Sequence, residues 1–421
     1  SIGTATAYLK VDMTATGELI ARALNNIYIE EVSGDLAVSE MYAGGDIGLT
    51  ASGSIVDPDD DDATTRYWNF YCTSATLKAL AGHIGSSDRI LEIDLQGGLI
   101  DAQANSYIYM DELTGDMLAG EIKSVTSDVR LRADSSILDG TGDIVADVIG
   151  NNITLISDYG AIGAAGDELD IDSAFSGAGN LTSSSEFNTY LIETLGTLSI
   201  YTVTTNAGTA FIAAPTGSIV SGRLAGEANV LSGMTWLFAR DNIGAADKPL
   251  YTIVGNMEGI STTGNSWIFN SGDLTVGGVT DGSIGFEGNG DEGAGFGNVD
   301  ITAGSPITVI EDITNNGAII LWSRDSADAG DDITIVPGVS VTSNNAHVFL
   351  RAGDNVYLSG QSNAFGDTRI AGNLINVGPN GFDTGQTVVY HAAGGEITGL
   401  TDGQTYYVAV DPVDAEDIGL A

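Results

Sequence analysis

The chain of 421 residues is poor in cysteine, in basic residues and in long apolar runs. Cys72 is the only cysteine, so no disulfide can form within the chain. Low cysteine content does not exclude export, because large exported repeat proteins stack their core instead of relying on disulfides. No apolar run approaches the roughly 18 residues that a membrane-spanning helix needs, so we expect no membrane insertion.

Basic residues are scarce, since 14 lysines and arginines stand against 57 aspartates and glutamates, a formal net charge of −43. Phosphate recognition needs basic surface, so this charge excludes nucleic acid as a partner. It also argues against anionic polymers as ligands unless cations bridge them. The repulsion keeps copies of an edge-rich β-protein apart, and salt or divalent cations screen it. A marine or halotolerant proteome explains the same acidity without any ionic function.

The residue groupings that identify a catalytic centre are also missing. The three histidines, His83, His347 and His391, are far apart in sequence and share no metal-ligand spacing. No nucleophile motif frames any of the many serines. Carboxylates recur at matching places, Glu30-Glu31 and Asp111-Glu112, which indicates a repeated structural position. We therefore expect no enzymatic activity; a polysaccharide lyase or hydrolase is the alternative.

A sequence repeat of about 80 residues dominates the chain instead. An Ile-Gly pair returns at nearly equal intervals, beginning at Ile2, Ile84, Ile162 and Ile243. A leucine follows each isoleucine at the same short distance, at Leu9, Leu91, Leu169 and Leu250. A degraded fifth copy follows, because Leu321–Asp325 matches Leu237–Asp241, which stands about one repeat length earlier.

Each unit holds short apolar runs of alternating character, such as Ile153-Thr154-Leu155, separated by Gly-Asp, Gly-Asn and Ser-Gly turns. Alternation is the period of a β-strand, and only Ala75–Leu80 is a candidate for a helical turn. Short strands in a long repeat predict an all-β parallel β-helix over residues 1–383, with about four rungs in each unit. Barrels, sandwiches and a propeller are the competing all-β folds, although a propeller blade repeats at roughly half this length.

The sequence changes character at about Thr384. Residues 384–421 contain three or four short apolar runs, and the pair Asp402-Gly403 is a hairpin signal. We expect a small antiparallel β module here, which caps the last rung or links the solenoid to further sequence. The chain begins at Ser1, inside the repeated phrase and without an initiator methionine, so we expect a piece of a longer protein. The absence of a visible signal peptide therefore says little about location.

The phrases at Gly82–Asp94 and Gly160–Asp172 resemble those of filamentous-haemagglutinin-like giant bacterial exoproteins. The run Arg351–Leu358 is similar too, and Gly399–Val408 resembles a small module of very large bacterial surface proteins. The resemblance implies a right-handed β-helix, export across the outer membrane and work as an adhesin or stalk at the cell surface. Its partners would be a host or neighbouring cell surface, a glycan or matrix, and other segments of the same chain. A polysaccharide-binding protein and a self-associating filament or sheath subunit are the alternatives.

One copy of the repeat carries an acidic insertion. Asp57-Pro58-Asp59-Asp60-Asp61-Asp62 has counterparts at Asp139 and Ser221 that lack the acid run. Calcium takes about six to eight oxygen ligands, which clustered carboxylates in a loop supply. We therefore predict a calcium site at Asp57, Asp59, Asp60, Asp61 and Asp62; a solvated acidic loop is the alternative.

Binding should use insertions that break the repeat, namely Pro58–Tyr71 and Asp281–Asn298. The first contains four aromatic residues, which we expect to be exposed: Tyr67, Trp68, Phe70 and Tyr71. Tyr67 and Trp68 are the predicted glycan ligands, because aromatic faces stack on sugar rings; core or edge-capping packing is the alternative.

Overall fold

The computed structural model describes residues 1–58, 67–175, 177–288, 297–327 and 330–358, and the segments 370–371, 374–376, 384–385, 387–390, 399–401, 403–412 and 417–420. Every regular element in these residues is a β-strand, which confirms the all-β prediction. The helical turn expected at Ala75–Leu80 is wrong, because Ala75–Ala79 is a strand with Ala75, Leu77 and Ala79 facing inward.

The strands fall into a long solenoid series and a short terminal set. The series begins with β1 (Leu9–Val11), β2 (Leu19–Ala23), β3 (Ile27–Glu31), β4 (Leu36–Ala43), β5 (Ile47–Ala51), β6 (Ile55–Val56), β7 (Phe70–Cys72), β8 (Ala75–Ala79), β9 (Leu91–Leu95), β10 (Leu99–Ala104), β11 (Ile108–Glu112), β12 (Met117–Ser124), β13 (Val129–Ala133), β14 (Ile137–Asp139), β15 (Val148–Ile149) and β16 (Ile153–Ser157). The next are β17 (Leu169–Asp172), β18 (Leu181–Ser185), β19 (Thr189–Glu193), β20 (Leu198–Thr205), β21 (Thr209–Ala214), β22 (Ile219–Ser221), β23 (Val230–Ala239), β24 (Leu250–Ser261), β25 (Ser266–Asn270) and β26 (Leu274–Val276). The series ends with β27 (Ile284–Gly288), β28 (Val299–Ala303), β29 (Ile307–Val309), β30 (Asp312–Asn315), β31 (Ile319–Ser323), β32 (Ile333–Ile335), β33 (Val341–Ser343), β34 (Val348–Arg351) and β35 (Val356–Leu358).

These 35 strands form one continuous sheet that winds as a parallel β-helix of about 15 turns. Each strand pairs in parallel with strands of the turns before and after it, as β13 does with β11 and β16. The parallel β-helix prediction is therefore confirmed, and the sandwich, barrel and propeller alternatives are excluded.

The sequence unit does not match a whole number of turns. Successive turns differ in length, since the paired residues Ile27, Ile47, Ala75 and Ile100 form one column but are unevenly spaced in sequence. Ile108, the counterpart of Ile27 in the second unit, stands in a different column and pairs with Ile84. One unit therefore spans between three and four turns, because loops at several corners make most turns longer than the expected rung.

The core is the inside of the coil. In β16, Ile153 and Leu155 are buried while Thr154 and Ile156 are half-buried on the outer side. The column Val129, Ile153 and Leu181 is at most 1% exposed, so each side chain packs on the next turn. Burying such a side chain contributes about 1.5–3 kcal/mol, which makes these columns the main source of stability.

The repeated Ile-Gly phrase interrupts a strand. Ile84 pairs with Ile108 and Leu91 pairs with Met110, so the isoleucine and the leucine of the phrase occupy neighbouring inward places. The residues between them form a small loop that projects from the coil, closed by a bond from the Ser86 N–H to the Arg89 carbonyl of 2.7 Å. The phrase is thus a short excursion inside a strand, and the other copies pair in the same way.

Glycine is required where this excursion leaves the strand. Gly85 has φ of +59°, and the glycines of the other three copies lie between +64° and +71°. A Cβ on Gly85 would lie 2.2 Å from the Tyr109 carbonyl oxygen and 2.8 Å from the Leu91 nitrogen. Both the left-handed backbone and the close approach exclude a side chain.

The terminal strands form a separate antiparallel sheet. They are β36 (Ile370–Ala371), β37 (Leu374–Asn376), β38 (Thr387–Val389), β39 (Thr405–Val410) and β40 (Asp417–Leu420). Ile375, Val408 and Ile418 form its small buried core. The antiparallel module predicted at the end of the chain is confirmed, and the sheet also takes in two strands that precede residue 384.

Candidate functional site

Three aromatic side chains meet on the outer surface of the solenoid, and we call Tyr42, Trp68 and Tyr71 the aromatic patch. The Tyr42 and Tyr71 rings stack at 5.1 Å with 10° between their planes. Trp68 packs against both, with ring centroids 5.6 Å from Tyr71 and 6.5 Å from Tyr42. Tyr42 is 38% exposed, and the two others are half-buried. The patch therefore presents three partly exposed rings to solvent on the outer side of the sheet.

Strand alternation places these rings outside the coil. Met41 and Phe70 are paired inward neighbours, fully buried, so Tyr42 and Tyr71 are paired on the outer side. The expectation that Phe70 is exposed is therefore wrong, and the alternative of core packing is confirmed for this residue. Its neighbours in sequence behave differently: Tyr71 belongs to the patch, and Tyr67 is 69% exposed.

The charged side chains next to the patch have partners within the solenoid. Arg22 pairs with Tyr42 in the column and forms an ion pair with Glu40. Asp94 follows Tyr71 in the same column and accepts hydrogen bonds from Gln96 and Thr114 at 2.8 Å each. The patch thus offers partly exposed aromatic rings with hydroxyl groups, a combination that suits an uncharged sugar.

Sequence reasoning found Trp68 and missed Tyr42. The two residues are one turn apart, and that turn includes the acidic insertion. No sequence signal specifies which outer residue of β4 lies under β7, because the lengths of the turns vary.

Most of the predicted calcium site lies outside the described residues. Asp59, Asp60, Asp61 and Asp62 lie outside the described residues, so calcium binding there stays a prediction. Asp57 is described, and it is only 2% exposed. Its Oδ1 accepts a hydrogen bond of 2.9 Å from the Asn69 amide. This bond ties Asp57 into the solenoid at the base of the loop.

The second insertion, Asp281–Asn298, is described only at its two ends. Ile284–Gly288 is strand β27, which pairs with β24 and β30 in the coil. Residues 289–296 lie outside the described part of the chain, so ligand binding by this insertion stays a prediction.

The Asn69 side chain accepts a hydrogen bond from a backbone N–H, and this interaction recurs at matching places in three units. The Glu92 N–H donates to the Asn69 side chain at 2.8 Å, and the Tyr251 N–H donates to Asn229 at 3.1 Å. The same place in the second unit is Asp147, which accepts from the Asp170 N–H at 3.0 Å. An aspartate therefore stands where two other units use asparagine.

At this place in the second unit, three buried carboxyl groups lie close together. One oxygen each of Asp139, Asp147 and Asp170 lies within 4.8 Å of the others. Burial raises the pKa of Asp147 to about 8 and that of Asp170 to about 6. Burial opposes ionisation of Asp139 too, but hydrogen bonds from the Gly142 and Thr141 amides hold its pKa below the usual value. Protonated Asp147 can thus donate to Asp139, as the Asn69 amide donates to Asp57, so the repeat explains the cluster without a metal.

We predict that Asp147→Asn raises the melting temperature at pH 9 and raises it by a smaller amount at pH 5. The pKa of Asp147 is raised in the folded chain, so the stability that its proton contributes is lost as pH rises from the ordinary 3.8 through about 8. The expected gain at pH 9 is about 1–3 kcal/mol, less than the full pKa difference implies because the folded chain relaxes around a charged group. Thermal melting at both pH values measures it. Asn69→Asp is the mirror control, expected to lower the midpoint at pH 9, and a lower midpoint of Asp147→Asn at both pH values would contradict the protonated form.

A second repeated carboxyl group lies at a corner of the coil. Glu31, Glu112 and Glu193 occupy the same place in three units and are at most 1% exposed. Glu112 accepts from the Leu95 N–H at 3.0 Å and Glu193 from the Ser173 N–H at 2.9 Å. The fourth unit has Asn270, which accepts from the Val254 N–H at 3.0 Å. These carboxyl groups therefore recur with the repeat. Recurrence is expected of a structural position, whereas an active site would occur once.

The histidines of the described residues have structural contacts and lie apart from each other. The ring of His83 stacks on Tyr107 at 4.4 Å, and its Nδ1 lies 2.7 Å from the Gly85 carbonyl oxygen. His347 is exposed and its backbone carbonyl accepts from the Ile319 N–H. His391 lies outside the described residues.

Within the described part of the chain, no helix has the length and apolar character to cross a membrane. No protein-family model matches the sequence, and no curated protein or solved structure is significantly similar to it.

Proposed function

We propose that the chain is a non-enzymatic segment of a cell-surface adhesin or stalk that binds neutral glycans through the aromatic patch. The observation that supports the proposal best is the contact of Tyr42, Trp68 and Tyr71 across adjacent turns. Rings held by a rigid sheet lose little entropy on binding, and sugars stack on exposed aromatic faces.

The location of the patch supports the same function. Trp68 is supplied by the segment that breaks the repeat, whereas Tyr42 comes from a regular strand. A solenoid needs neither ring for its core, since Met41 and Phe70 fill the inside at this level. Extracellular placement agrees with this function, because an adhesin meets its glycan outside the cell.

The carboxyl clusters do not favour the enzyme alternative. A glycoside hydrolase needs two carboxyl groups on either side of a substrate cleft. Asp139, Asp147 and Asp170 are at most 7% exposed, and the first two accept hydrogen bonds from backbone amides. The place of Asp147 is taken by Asn69 and Asn229 in other units, so this cluster follows the repeat.

A glycan array tests the proposal with the parent chain, Trp68→Ala and Tyr42→Ala. We expect the parent to bind neutral glycans and each variant to lose about tenfold in affinity, because each removes one stacking ring. Phe187→Ala is the matched control, since Phe187 is 52% exposed and lies outside the patch. Equal binding by the parent and both patch variants would reject the assignment.

A further inference from the structure

The last described turns carry a cleft flanked by two arginines. It has a volume of about 320 Å³ and is lined by Trp322, Arg324, Asp325, Arg351, Ala352 and Gly353. The Arg351 guanidinium carbon lies 4.3 Å above the Trp322 ring centroid. The Arg324 carbon lies 6.0 Å from the same centroid and 5.6 Å from that of Phe269. Two cations and one indole face therefore share one small cleft.

The arrangement follows from strand register. Phe269, Thr302, Trp322 and Arg351 follow one another in one outward column. Small Thr302 separates the two rings, so Arg324 can lie over both of them. Gly353 completes the floor, because a Cβ there would lie 2.7 Å from the Asp325 Cα. The glycine lets the segment after Arg351 approach the segment after Arg324 closely.

Both arginines lack an acidic partner among the described residues. The ion pairs of the described chain engage Lys10, Arg22, Arg130, Arg132 and Arg223. With 57 acidic and 14 basic residues, carboxylates are plentiful, so a pair of uncompensated arginines is unexpected. Among the described residues that line the cleft, Asp325 is the one carboxylate beside the two arginines, in a chain of net charge −43.

The cleft also departs from the repeat. Arg240 and Phe238 are the counterparts of Arg324 and Trp322 in the preceding unit. There the column continues from Phe238 to Ile260, whereas here it continues from Trp322 to Arg351. The second arginine is therefore specific to this unit, and the solenoid does not need it for stacking.

We propose that this cleft binds a single carboxylated sugar at the end of a glycan. The arginine forks bind a carboxylate through paired charge-assisted hydrogen bonds, and the part of the half-buried Trp322 ring that Arg351 leaves uncovered packs against the sugar ring. The volume lies at the lower end for ligand sites, which suits one sugar residue. The surrounding acidic surface repels a polyanion, so an isolated carboxylate is favoured over an acidic polymer.

Isothermal titration with methyl β-D-glucuronide tests the proposal, with methyl β-D-glucoside and acetate as comparison probes. We expect the glucuronide to bind at least about tenfold more tightly than either, because only it offers both the carboxylate and the ring. Arg351→Gln is expected to weaken glucuronide binding about tenfold. Arg240→Gln is the matched control, because it removes an exposed arginine from the unit that lacks the second one.

Equal affinity for the glucuronide and the glucoside would overturn the assignment, as would unchanged binding by an Arg351→Gln chain with parental melting. Equal affinity for acetate and the glucuronide would show that the sugar ring contributes nothing to binding, and this result would also overturn the assignment. The proposal does not rest on the aromatic patch. Trp68→Ala should leave glucuronide binding intact, so the two sites succeed or fail separately.

Discussion

Gly85→Ala is expected to destabilise the solenoid by about 3 kcal/mol or more, one of the largest effects of any single methyl group in the chain. The new Cβ would lie 2.2 Å from the Tyr109 carbonyl oxygen, a backbone atom that cannot rotate away. The φ of +59° adds the strain of a left-handed alanine. Urea unfolding followed by circular dichroism measures the loss.

Gly97→Ala separates the two causes. Gly97 also has a positive φ, +84°, but a Cβ there meets nothing within 4 Å. Its substitution should cost only the roughly 1–2 kcal/mol of left-handed strain. Gly163→Ala should match Gly85→Ala, because its Cβ would also lie 2.2 Å from a tyrosine carbonyl oxygen. Similar losses at Gly85 and Gly97 would show that the close approach contributes little.

The double variant Glu112→Gln with Glu193→Gln should be more stable than the parent at pH 9 by about 2–4 kcal/mol, with little difference at pH 5. Burial raises the pKa of Glu112 to about 9 and that of Glu193 to about 8, despite opposing hydrogen bonds from backbone amides. In the unfolded chain both groups ionise near pH 4.5. Between pH 4.5 and about 9 the folded chain therefore binds more protons, and the free energy of unfolding falls as pH rises.

Urea unfolding at several pH values between 5 and 9 measures this dependence. Asn270→Asp is the mirror control, because it places an ionisable group where the fourth unit has an amide. The Asn270 amide donates to the Val254 carbonyl at 3.1 Å, a bond that an ionised carboxylate cannot form. This variant should lose stability more steeply with pH than the parent. A double variant with the parent's pH slope would contradict the raised pKa values of Glu112 and Glu193.

The class of fold could be predicted from the sequence because it depends on local signals. Runs such as Ile153-Thr154-Leu155 specify strands, and a long repeat without helical spacing specifies a stacked coil. The sequence separation between residues that stack on each other in successive turns could not be predicted, because it depends on corner loops of variable length. Stacked residues such as Ile27, Ile47 and Ala75 are unevenly spaced and give no periodic signal of their own.

The unpredictable sequence separation between stacked residues also limited how well the candidate sites could be predicted. Phe70 was expected at the surface with core packing as the alternative, and the alternation that begins at Phe70 faces it into the core and Tyr71 outward. Tyr42 reaches the patch from another turn, and Arg324 meets Arg351 in the same way. The repeat indicated only the first of these places, because Trp68 stands in an insertion that breaks the repeat, whereas Arg351 was not predicted as a site residue.

The most direct test of the account is hydrogen exchange of the whole chain with and without a neutral glycan that binds on the array. On this account, the repeated residues stabilise the solenoid and residues that depart from the repeat bind the glycan. The glycan should therefore slow hydrogen exchange only in peptides that contain Tyr42 and Trp68–Tyr71. The repeated phrases, such as Ile162–Leu169, should exchange equally in both states. Protection spread over the repeated phrases, with none at the aromatic patch, would contradict the account.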